Sequence, residues 1–137
     1  MAQEFTVSLQ AIINECKLEV IQTPKDPSEI FISNIDVNRP GLQLAGFYEY
    51  FDKQRIQIIG KAETAYLEQC GAEIRAQRIR KFFSEQPAAV VVSRGMDIMP
   101  EMKELSKELG VPLLRSEEST STFTSKLVAY LSLQLAP

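Results

Sequence analysis

Between Pro87 and Gly95 the chain reads Ala88-Ala89-Val90-Val91-Val92-Ser93-Arg94. A strand with one face in water alternates apolar and polar residues. Five consecutive apolar residues, three of them β-branched and bounded by a proline and a glycine, instead describe a strand covered on both faces. Such a strand belongs in the interior of a partly parallel sheet with helices above and below. At 137 residues the chain is long enough for one such domain with a single core.

The flanking sequence supplies the helices. Ala72 to Glu85 interleaves Ile74, Ile79, Phe82 and Phe83 with Arg75, Arg78, Arg80 and Lys81, a basic amphipathic helix whose cations lie toward the end favoured by its dipole. After the central strand, Pro100 opens a second helix with Met102, Leu105 and Leu109 on one face, and Gly110 stops it. Val111 to Arg115 is a short strand, so this region is a βαβ unit and the sheet is at least partly parallel. Upstream, Arg55 to Ile59 is a strand running into Gly60, followed by a helix from Lys61 to Cys70. Nearer the N-terminus, the spacing predicts a helix over Thr6–Cys16 capped by Ser8, a strand at Leu18–Ile21 and another at Ile30–Ile32. Asn38 is placed to cap a short helix through Leu42 and Leu44, with Pro40 in its first turn and Gly46 at its end. A final helix carries Phe123, Leu127, Tyr130, Leu131 and Leu135 toward the core. The expected fold is therefore α/β, with a mixed, partly parallel sheet of about five strands and helices on both faces.

Composition narrows function mainly by exclusion. The net charge is −3 and the pI near 5.1, which argues against a nucleic-acid or anionic-membrane surface. No apolar run is long enough to span a bilayer, and a cytoplasmic location is expected. The chain contains no His, so the usual general base near neutral pH is missing. Cys16 and Cys70 lack the spacing of a metal site and read as buried thiols.

Three local features remain as candidates. Gly60-Lys61, between a strand and a helix, has the placement of a phosphate-binding turn but lacks the upstream Gly and following Ser or Thr of a P-loop; strand-to-helix turns use Gly for tightness alone far more often. Ser93, Arg94, Arg115, Ser116 and Thr120 should gather beyond the C-terminal ends of the strands, where hydroxyls and arginines could hold a small anion; the hydroxyls also suit simple helix capping. Phe47, Tyr48, Tyr50 and Phe51 form the most aromatic stretch. With no basic residues between the rings they read as a core or subunit-contact segment, with Arg39 nearby.

Several segments, in order along the chain, resemble the N-terminal domain of HPr kinase/phosphorylase: Asn38-Arg39-Pro40-Gly41-Leu42 with Ala45-Gly46-Phe47, Arg55-Ile56-Gln57 with Gly60-Lys61-Ala62-Glu63, Pro87 to Arg94, Gly110 to Ser116, and Leu135-Ala136-Pro137. One departure is Thr122, where the family often has an Arg near the start of the last helix. The resemblance implies a fold similar to Mur ligase N-terminal and DRTGG-type domains. It also implies a parent enzyme that phosphorylates and dephosphorylates a serine of HPr in control of the sugar phosphotransferase system and carbon catabolite repression. By the same resemblance the chemistry, with ATP and magnesium, sits in a C-terminal P-loop domain outside this sequence, so that residues 1–137 are a non-catalytic assembly or regulatory domain without a cofactor. The implied partners are that kinase domain, other subunits of a hexamer, and HPr for the full-length parent. A free-standing small-ligand-sensing domain of the DRTGG type is the alternative.

Overall fold

A computed structural model of the chain describes residues 5–136; Pro137, the last residue of the Leu-Ala-Pro segment above, lies outside them. In chain order the elements are β1 (Val7–Ser8), α1 (Leu9–Cys16), β2 (Glu19–Gln22), β3 (Phe31–Ile32), β4 (Val37–Asn38), α2 (Gly41–Leu44), β5 (Ile56–Ile59), α3 (Lys61–Gln69), α4 (Ala72–Ser84), β6 (Ala89–Val92), α5 (Pro100–Leu109), β7 (Leu113–Arg115) and α6 (Thr120–Gln134). The main sheet has the order β2-β7-β6-β5-β4. Strands β4 to β7 are mutually parallel, and β2 lies antiparallel on β7. The valine-rich β6 is the middle strand and all of its residues are buried.

Side-chain alternation sorts the sheet into two cores. Ile56, Ile58, Ala89, Val91 and Leu114 face α1 and α6, meeting Leu9, Ile12, Phe123, Leu127 and Leu131. Ile59, Val90, Val92 and Leu113 face the other layer, α2 to α5, through Leu44, Leu67, Ile79, Phe82, Phe83, Met102 and Leu105. Each such Leu, Ile or Phe contributes about 1.5–3 kcal/mol by leaving water, so the two helical layers hold the central strands from both sides. Among the described residues, no helix is long and apolar enough to cross a membrane.

Several expectations are corrected in detail. The first helix begins at Leu9 rather than Thr6, because the Ser8 hydroxyl accepts the Ala11 N–H at 3.1 Å and Val7 is drawn into β1. Phe31–Ile32 pairs with β1 in a separate two-stranded sheet, outside the main one. The fifth strand of the main sheet is instead Val37–Asn38. Asn38 therefore does not cap a helix; its side-chain amide donates to Gln43 and to the fully buried Gln57, at 3.0 and 2.7 Å, which ties β4 to α2 and β5. The helix that follows starts after Pro40, with no side-chain cap.

Candidate functional site

Because β4 to β7 are parallel, their C-terminal ends share one edge of the sheet, where α/β domains place ligands. The residues that leave these strands are Arg39, Gly60, Ser93-Arg94 and Ser116. Helices α3 and α6 are among those that begin at this edge.

At the start of α3 the chain fills the anion position with its own carboxylate. Glu63 Oε1 accepts the Gly60 N–H at 2.7 Å and the Arg39 guanidinium at 2.7 and 3.2 Å, and Glu63 is only 6% exposed. A backbone N–H at a helix start, the positive end of the helix and an arginine all converge on one oxygen. Space is equally committed: a Cβ on Gly60 would fall 2.5 Å from Arg39 Nη2 and 2.8 Å from Thr120 Oγ1. Gly60 thus serves close approach between three segments, and the phosphate-binding reading of Gly60-Lys61 has no room to operate.

At the start of α6 the arrangement is open. Arg94 and Gly95 both have positive φ, 62° and 58°. Their turn is stitched to the β7–α6 connection: the Arg94 N–H donates to Glu118 O at 2.7 Å, Gly95 N–H to Ser116 O at 2.8 Å, and Ser116 N–H to Val92 O at 2.8 Å. The backbone of Arg94 is fixed by these bonds while its side chain stays exposed. Arg94 and Arg39 line one cleft of about 520 Å³, together with Val37 and, from the first two turns of α6, Thr120, Ser121, Thr124 and Ser125. Among the described residues, no carboxylate lines it. The first turn of α6 carries no acidic residue, and its cap is the neutral hydroxyl of Ser119, which accepts the Thr122 N–H at 3.2 Å.

The structure divides the five residues expected to gather here. Ser93, Ser116 and Thr120 are buried, and the Ser93 and Thr120 hydroxyls bond each other at 2.5 Å, joining β6 to α6. Arg115 turns to Glu19, donating to its carboxylate at 2.7 and 3.0 Å, and to the Met96 carbonyl. The Glu19 hydrogen bond raises the Arg115 pKa above its usual value. Of the charged pair, only Arg94 faces the cleft. Its companion there, Arg39, is delivered by β4, a strand the periodicity does not announce. Glu63 could have been read from the Gly60-x-x-Glu63 spacing, which places a carboxylate at the third helical position, within reach of the cap N–H.

The aromatic segment also divides. Tyr48 and Phe51 pack inward, edge to face at 5.8 Å, with Phe51 reaching Phe82 at 5.9 Å and the Lys81 ammonium 5.1 Å from the Tyr48 ring. Burial pushes the Tyr48 hydroxyl pKa up to about 12, with Glu85 adding to it. Phe47 and Tyr50 face solvent, Tyr50 at 93% exposure. Arg39 lies with Glu63 at the sheet edge rather than among the rings.

The architecture and its sheet edge define a small α/β domain with a mixed five-stranded sheet. The CBS and DRTGG domains of the regulatory region of a Clostridium perfringens pyrophosphatase, solved with the activator diadenosine tetraphosphate, superpose with a TM-score of 0.61 over 88% of this chain and 46% of that one, at 19% identity. That likeness is one of fold. Residues 7–131 match the family described as HPr Serine kinase N terminus, and the chain belongs to it. HPr kinase/phosphorylases of Clostridium perfringens (strain SM101) and Clostridium acetobutylicum are each 44% identical over 96% of this chain. That of Caldanaerobacter subterraneus subsp. tengcongensis is 42% identical over the same share. The chain spans less than half the length of these relatives, 42–43%.

Proposed function

We propose that this chain serves as the non-catalytic assembly and regulatory domain of an HPr serine kinase/phosphorylase. ATP, magnesium and HPr are engaged by a separate catalytic region, and the domain works within a cytoplasmic homo-oligomer that takes part in control of the phosphotransferase system and carbon catabolite repression. The observation that supports this most is Glu63: the strand-turn-helix at Gly60-Lys61, placed like a phosphate loop, is closed by an internal carboxylate. The test has two arms. The chain alone, incubated with HPr, ATP and magnesium, is expected to give no phosphoserine; product above a protein-free blank overturns the non-catalytic assignment. A full-length enzyme carrying this domain is then compared with one lacking it. The expected result is phosphorylation retained with altered subunit assembly or effector response, and identical behaviour overturns the regulatory assignment.

A second reading, a free-standing DRTGG-type sensor of a small ligand, is favoured by the open cleft beside Arg94. Coding sequence past Pro137 that runs into a GxxxxGK[ST] motif would decide against it.

A further inference from the structure

We propose that the cleft between Arg39, Arg94 and the start of α6 binds a phosphate group, as orthophosphate or as the phosphate of a small monoester. The proposal deepens the second reading above by naming its ligand class. Its starting point is the arginine pair. Two arginines from separate crossovers line one cleft, in a chain whose net charge is −3. Like charges brought together repel unless an anion lies between them. Glu63 answers only one of them, and that carboxylate is also committed to the Gly60 N–H. Arg94 joins no ion pair among the described residues, and its backbone is held in a conformation uncommon for a residue with a side chain.

The donor set favours a tetrahedral oxyanion over a planar carboxylate. One guanidinium satisfies a carboxylate by a two-pronged contact, whereas here donors come from β4, from the turn after β6 and from the Ser121 and Ser125 hydroxyls of α6. A phosphate presents acceptor oxygens in enough directions to use all of them. The positive end of the 15-residue α6 adds to the attraction. At about 520 Å³ the cleft exceeds one phosphate, and Val37 gives it an apolar side for an organic remainder.

The test is a titration of the whole chain with orthophosphate and, separately, glycerol phosphate, followed by NMR amide shifts at matched ionic strength. The expected result is saturable shifts at Arg94 and Ser121. Arg94→Asn, which tolerates the left-handed backbone, should weaken binding about tenfold, the loss of one charge-assisted contact. Ser121→Asp places a carboxylate in the cleft; it should weaken binding at least as much while raising the melting temperature, which separates lost binding from lost folding. Tighter binding of the monoester identifies an organic phosphate as the natural source, and tighter orthophosphate identifies the free anion. The proposal is overturned by no saturable shift with either ligand up to about 10 mM, tenfold above a ~1 mM affinity, or by unchanged affinity in either variant. Neither kinase activity nor oligomer size enters these readouts, so failure here leaves the assembly reading standing, and the reverse.

Discussion

α3 and α6 start at the same edge of the sheet, under the same field, and differ in what faces their first turns. One residue, Gly60, separates β5 from α3, while four separate β7 from α6. The single-residue turn leaves the Gly60 N–H three positions from the Glu63 carboxylate, and the chain supplies its own anion, 6% exposed and bonded to Arg39. The hydroxyls at this junction are spent on local order, Ser119 of the connection on the cap and Thr120 of α6 on Ser93, so the start of α6 stays positive and open. The difference separates two uses of one electrostatic feature: a sealed turn that fixes the fold, and a cleft with charge to spare.

The comparison can be broken at either helix. The largest effect is expected from Glu63→Ala. It strands a buried backbone N–H and frees Arg39, and should lower unfolding free energy by about 3 kcal/mol in a urea titration; a loss below about 1 kcal/mol would mean that the seal contributes little. Next comes Gly60→Ala. Its backbone angles suit any residue, so its cost is steric: the added Cβ meets Thr120, which is pinned by Ser93, as well as the more mobile Arg39. A loss of about 2 kcal/mol is expected, and Thr120→Ala should recover part of it, because the pinned Thr120 hydroxyl gives way less readily than the mobile Arg39 side chain. The smallest effect has the opposite sign. Ser121→Asp gives α6 the charge that α3 already has and should add about 0.5 kcal/mol, shrinking as salt is raised. A loss of stability there would show that the first turn of α6 is not under-compensated.

Much of the fold could be read locally. The apolar run of β6, the helix stop at Gly110 and the periodicity of α4, α5 and α6 all reflect which residues must leave water, and burial sorts most of them in the same way in the structure, with Ile74 of α4 the exception at 41% exposure. The candidate site was legible only in part. Arg94 is marked by its place after a buried strand. Arg39 is not, because Val37–Asn38 is two residues long, half-buried and joined to the sheet by Asn38 and Gln57 side chains rather than by an apolar pattern. For the same reason the five-stranded sheet is reached with a different fifth strand: Phe31–Ile32 is as apolar as a core strand, yet it pairs with β1.

The order of residues alone determined a central strand covered on both faces, its helical layers and the absence of histidine, the usual general base near neutral pH. These follow from local periodicity and residue chemistry. Only the tertiary structure decided that Glu63 closes one helix start, that Arg115 is held by Glu19, and that Arg39 joins Arg94 beside α6. Those outcomes depend on how parallel strands are ordered across the sheet, which brings distant side chains within hydrogen-bond reach and which no local spacing encodes.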